Sequence, residues 1–377
     1  MIHPITRRRA IGGMVGTLIA LGRGRAWSAQ FERRLYVAVP GIRDYLEYGG
    51  HGVLVFDIDN GHTFVKRIPS AGLSASGKPL NVKGICASAK TGRLYVGTTQ
   101  HLMCIDLVSE ALLWERTYDA GCDRMAISPD GQTMYMPSFE GDLWYVLDAD
   151  TGRERARVTP NSGAHNTIAG LDGREAYLAG LRSPLLTVLD AKTLHTRTVG
   201  PFGASIRPFT VNGRQTLVFV NVNELLGFEV GDLREGKRLH RVEVAGFSKG
   251  PIKRHGCPSH GIGLTPDESE LWVCDAHNQS LHVFDATAMP PKQAGTIKLK
   301  DEPGWVTFSL DGKYAYPSTG DVIDVSSRAI VTELRDEKGA AVQSEKVVEV
   351  HLQDGRPVKA GDQFGLGRVV ESLPETR

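Results

Sequence analysis

The chain has 377 residues, 41% of them hydrophobic, with 44 basic against 43 acidic residues and a formal charge of +1. This is the composition of an ordinary soluble globular protein, and near-neutrality gives bulk nucleic-acid binding no support. The five cysteines, Cys86, Cys104, Cys122, Cys257 and Cys274, match neither a zinc spacing nor a haem-attachment motif.

Residues 1–28 read as an export signal rather than as part of the fold. Arg7, Arg8 and Arg9 precede a mild apolar run from Ala10 to Leu21, and Ala26-Trp27-Ser28 offers a small-x-small cleavage site. The run is too short and glycine-rich to span a bilayer, so the mature chain carries no transmembrane segment. The paired arginines resemble a twin-arginine signal, although Ala10 stands where that pattern usually has Phe. Export makes the protein periplasmic or secreted. Removal of five arginines leaves 39 basic residues against 43 acidic ones, a mature charge of −4.

The mature region, 29–377, reads as one domain built from a repeated unit of about forty residues, the spacing of a four-stranded propeller blade. Each unit has an apolar strand, a tight polar turn and a second strand, with an aromatic at one fixed position in all but the degenerate copy at Val218. The copies centre on Leu94-Tyr95-Val96, Met134-Tyr135-Met136, Ala176-Tyr177-Leu178, Leu217-Val218-Phe219, Leu271-Trp272-Val273 and Ala315-Tyr316. Their turns include Pro129-Asp130-Gly131, Leu171-Asp172-Gly173, Thr265-Pro266-Asp267 and Leu310-Asp311-Gly312. Third strands end in an acid, at Asp57, Asp106, Asp148, Asp190, Asp285 and Asp324, placed to bond the backbone of the following turn. Cys86 and Cys104 fall on strands one and three of one blade, too far apart for a disulfide, and read as small buried hydrophobes.

The first copy, Leu35-Tyr36-Val37, has a second strand and no inner strand before it. Residues 345–352 near the other end of the chain, followed by Gln353-Asp354-Gly355, supply the missing form. The expectation is therefore an all-β, seven-bladed β-propeller of four-stranded blades, closed by a C-terminal strand pairing with the N-terminal blade. Closure removes the open edges of a linear array.

Leu35-Tyr36-Val37, Leu94-Tyr95-Val96 and His260-Gly261-Ile262 with Thr265-Pro266-Asp267 resemble the YVTN/YncE-type repeat of exported bacterial propellers, related in architecture to nitrous-oxide-reductase-like and lactonase-like propellers. The resemblance implies a fold and a bacterial exported setting. It leaves the activity open, because such propellers host binding proteins, lyases, lactonases and reductase domains.

Function must therefore come from the loop face. Inner-strand entrances present Lys83, Arg124, His165, Arg207, His260 and Trp305; other loops on that face add His51, Arg182 and His277. Two loops are long: residues 40–52, with Arg43 and His51, and residues 245–259, with Lys253, Arg254, His255 and Cys257. Lys83, Arg124, Arg182 and Arg207, with Trp305, form a candidate pocket for a small anionic molecule, since guanidinium forks suit carboxylate or phosphate. His165, His260 and His277 form a candidate set for a divalent metal, the one cofactor suggested by residue type. No serine sits in a nucleophile elbow and no glycine-rich loop opens a helix, which sets serine hydrolases and P-loop nucleotide chemistry aside. Two readings follow. One is an exported propeller binding a small anionic ligand or a partner at the channel mouth. The other is a metal-assisted lyase or lactonase acting on a carboxylate-bearing substrate, with His51 or His277 as general base.

Overall fold

The computed structural model describes residues 1, 30–69, 72–74, 76–251 and 254–370; residues 2–28 of the expected signal segment and Lys253 lie outside them. Seven antiparallel sheets follow one another along the chain and form a closed ring, a seven-bladed propeller. The inner strands are Val347–Gln353, Val82–Ser88, Ala126–Ile127, Ala164–Ala169, Ile206–Val211, Ile262–Leu264 and Val306–Phe308. Among the described residues, no helix is long and apolar enough to cross a membrane.

The second strands read as apolar runs because both faces of a blade are covered. In Arg93–Thr98, Leu94 and Val96 pack with Tyr36 and Val53 of the preceding blade. Tyr95, pointing the other way, packs with Met134 and Tyr145 of the following one. The recurring aromatics Tyr36, Tyr95, Tyr135, Tyr177, Trp272 and Tyr316 are all buried. Each contributes roughly 1.5–3 kcal/mol or more by leaving water. All five cysteines are free thiols and buried.

Closure takes the expected form. Val347–Gln353 pairs antiparallel with Phe31–Val39, placing Glu349 opposite Leu35 and Val347 opposite Val37. The closing blade differs from the expectation of four strands: a fifth, Arg356–Ala360, folds back on the inner strand. It has no counterpart in the other six blades, so no repeat announced it.

After that strand, residues 361–370 run past the inner strands, from the starts of two of them beside Met125 and Trp305 to the ends of two others at Val211 and Leu264. Gln363 accepts from the Ile85 amide and donates to the Met125 carbonyl. Its own carbonyl takes the Trp305 indole N–H. The Gly365 carbonyl accepts from the Leu264 amide at 2.9 Å and from Thr210 at 2.7 Å. Phe364 and Leu366 are buried among residues of blades four and five. This tail ties several blades together and floors the channel. A cavity of about 290 Å³ at this end is walled mainly by Ile85, Met125, Ile127, Ile168, Leu171 and Phe364. Its charged lining residues are Lys90, Lys359, Asp362 and Arg368, the last two paired at 2.6 Å. The polar site lies at the opposite end.

Candidate functional site

Every inner strand begins at the other face, and the residues just before the first apolar position of each strand converge on the axis. A cavity of about 280 Å³ opens there. Lys83, Arg124, His165, Arg207 and His260 line it together with Arg43, Arg254, His255, Glu345 and Lys346. The two long loops meet over it. Arg43 donates to the Arg254 carbonyl at 3.0 Å, and Arg254 reaches the Tyr48 hydroxyl and the Asp301 carboxylate at 3.3 Å.

The floor is a chain of buried polar groups. Lys83 lies 3.7 Å from Asp123, and Asp123 accepts from His165 Nδ1 at 2.6 Å. Arg124 Nη1 donates to His165 Nε2 at 2.8 Å. A guanidinium only donates, so His165 Nε2 is the acceptor and the ring is the neutral Nδ1–H tautomer. Burial lowers the His165 pKa and outweighs the opposing pull of Asp123. Arg124 also ion-pairs with Glu345 and lies 4.4 Å over the Trp305 ring. Trp305 is thus the aromatic shelf beneath Arg124, and its N–H is used by the tail.

Glu345 is the hub. One carboxylate oxygen takes Arg124 and, at 2.7 Å, Lys346; the other lies 3.0 Å from His255 Nδ1. Burial opposes its ionisation, but Lys346, Arg124 and His255 hold its pKa well below the usual range. Burial, with Arg124 alongside, pushes Lys346 down to about 7. His260 donates from Nδ1 to the Gly304 carbonyl at 2.8 Å, leaving Nε2 a bare lone pair. Burial puts its pKa well below the ordinary histidine value. The His255 and His260 rings stack with centroids 5.5 Å apart. Donor atoms of His255, His260 and Glu345 all lie within 4.8 Å of one another.

The other sequence candidates lie elsewhere. Arg182 is exposed on the rim, bonded to Asp142 at 2.6 Å and to the Glu140 carbonyl. His277 is exposed and lines a second, small cavity beside Gly250, which His255 also borders. His51 is half-buried, and its carbonyl accepts from Arg67. Within the proposed metal set, His260 therefore sits beside His255 and Glu345, while His165 is engaged by Asp123 and Arg124 and His277 is apart. Glu345 and Lys346 entered the sequence reading only as part of the closing strand. They precede Val347 as Arg124 precedes Met125, and the same entrance rule applied to the last inner strand would have found them.

With the geometry established, comparison with known proteins adds the fold. No protein-family model and no curated protein matches the chain. The dihydro-heme d1 dehydrogenase NirN in complex with DHE superposes with a TM-score of 0.60 at 14% identity, over 88% of this chain and 75% of that one. The Cps50 (Swd1) β-propeller domain of Myceliophteria thermophila superposes with a TM-score of 0.58 at 12% identity, over 74% of this chain and 96% of that one. The shared feature is the propeller. At these identities the likeness is one of fold, and the site has to be read from its own side chains.

Proposed function

We propose that this protein is an exported propeller of the YVTN/YncE type that binds a small carboxylate- or phosphate-bearing molecule at the loop-side mouth of its channel. The observation that carries this reading is unbalanced positive charge in one cavity. Arg43, Lys83, Arg124, Arg207, Arg254 and Lys346 line it, with Glu345 and Glu140 as the acidic members. Asp123 and Asp301 offset Lys83 and Arg254 from behind. Arg207 bonds only neutral oxygens, Asn223 Oδ1 at 2.6 Å and the Gly256 carbonyl at 3.1 Å. Among the described residues no carboxylate forms an ion pair with Arg207 or Arg43. An arginine held by neutral acceptors at the rim of a concave site keeps its charge for an incoming anion.

The test is calorimetric titration of succinate and inorganic phosphate into chelator-treated protein. Arg207→Ala should weaken binding by roughly 10- to 100-fold, the loss of a charge-assisted hydrogen bond worth about 1.5–3 kcal/mol. Its melting temperature should hardly move. Arg182→Ala, already paired on the rim, is the control and should bind as the wild type does. Equal affinity in wild type and Arg207→Ala would remove the anion pocket. The metal-assisted lyase or lactonase is the second reading, favoured by the grouping of His255, His260 and Glu345. Chelator-sensitive turnover of a carboxylate-bearing lactone separates it from pure binding.

A further inference from the structure

The three donors at the cavity floor keep ligand capacity that their hydrogen bonds do not use. His255 has acceptors on both sides: Glu345 Oε1 lies 3.0 Å from Nδ1 and the Glu302 carbonyl 3.4 Å from Nε2. A neutral imidazole donates to only one of two acceptors, whereas an imidazolium donates to both. A metal cation at the Glu345 side, in place of that second proton, serves both groups equally. Next to it, His260 presents an unprotonated Nε2 whose ring is oriented by a backbone carbonyl, the support commonly given to a metal-bound histidine.

The spacing suits a small cation. Ligand atoms each about 2.1 Å from one zinc-sized ion lie about 3.0 Å apart at a right angle and about 3.4 Å apart at the tetrahedral angle. The donors here lie within 4.8 Å of one another, so modest side-chain rotation brings all three to a common centre. The nearby Cys257 is not a competing ligand. Its thiol bonds the Ser259 carbonyl at 2.9 Å.

Charge balance links the ion to the anion. Glu345 supplies one negative charge, already shared with Arg124 and Lys346. A divalent ion there is left with positive charge uncompensated, beside further cations. We propose that His255, His260 and Glu345 bind one divalent transition-metal ion facing the mouth cavity, and that the small anion of the preceding section completes its coordination. The inference rests on that anion-binding reading and gives it a receptor: metal and anion bind as a pair, each raising the affinity for the other by the same factor.

The test uses the full mature chain, stripped with chelator and titrated with zinc in the presence and absence of succinate. One equivalent of zinc should bind, and succinate should tighten it at least tenfold; zinc should tighten succinate by the same factor. His255→Ala, His260→Ala and Glu345→Gln should each weaken zinc by tenfold or more, while His277→Ala leaves it unchanged. Glu345 is buried among charges, so its variant is checked for folding by circular dichroism. Cobalt(II) in the unaltered protein provides an independent reading, because three-ligand binding with an added anion should shift its visible spectrum. Absence of one-to-one zinc binding, or equal zinc affinity in folded His260→Ala, overturns the metal site. Zinc binding with no effect of succinate overturns the pairing. Succinate bound to a protein that never takes zinc leaves the anion pocket standing without the metal. Zinc bound by a protein that never takes succinate defeats the anion reading and the pairing together.

Discussion

At the scale of single residues, the aspartates ending the third strands do repeated structural work. Asp106 accepts the Val108 and Ser109 amides, Asp148 the Thr151 amide, Asp190 the Lys192 and Thr193 amides, and Asp324 the Ser327 amide. These bonds favour the ionised carboxylate. The Thr151 and Ser326 hydroxyls lead in pulling Asp148 and Asp324 down to about 2, against an ordinary value of 3.8. A depressed folded-state pKa stabilises the fold above the unfolded value and ceases to do so as pH falls through the folded one. We therefore expect these aspartates to make the melting temperature fall between about pH 4 and pH 2, on top of an earlier decline below about pH 6.5 from His165 and His260, which the fold holds neutral. Asp148→Asn should lower the neutral-pH value slightly and make the acid decline shallower. A decline of unchanged steepness in that variant would assign acid sensitivity to other groups. These aspartates were legible in the sequence because they recur in register. His255 was visible only as a member of a long loop, because no repeat fixes where such a loop returns. Its seat is specific: a Cβ on Gly304 would lie within 2.1–2.6 Å of the His255 ring, so only glycine leaves it room.

At the scale of elements, the tail over residues 361–370 replaces a conventional channel lining. It satisfies the Trp305 indole N–H and the amides of Ile85 and Leu264, and it buries Phe364 and Leu366. Truncation after Ala360 removes two buried apolar side chains, Phe364 and Leu366, whose burial is worth roughly 1.5–3 kcal/mol each. It also leaves buried donors without partners, at a further cost of about 1–3 kcal/mol each where water does not replace them. We expect a clear fall in melting temperature and a red shift in tryptophan emission as Trp305 meets water. Unchanged emission and stability would show that the tail merely lies on the surface. The sequence revealed the blades because turn chemistry and apolar runs repeat. It did not reveal Arg356–Ala360 or the tail, which occur once and have no periodicity of their own. The same asymmetry explains the site: the ring of entrance residues follows from symmetry, whereas the loops crossing it do not.

At the scale of the whole molecule, the proposed export route bears on how the ring reaches its destination. If Arg7 and Arg8 form the address of a twin-arginine signal, changing both to Lys should abolish accumulation of mature protein outside the cytoplasm. Continued export of the double variant would point to the general secretory route instead. Closure gives the choice of route a timetable. The strand Phe31–Val39 is made first among the blades, yet its inner partner Val347–Gln353 follows more than three hundred residues later. At ribosomal speeds of about 5–20 residues per second, that is on the order of 15–60 s during which one edge of the oldest sheet has no neighbour. Glu345 and Lys346 arrive with the same late strand. The channel mouth thus waits on a strand made near the end of synthesis, and a chain stalled at the seventh blade would present a nearly finished scaffold with no hub at its centre.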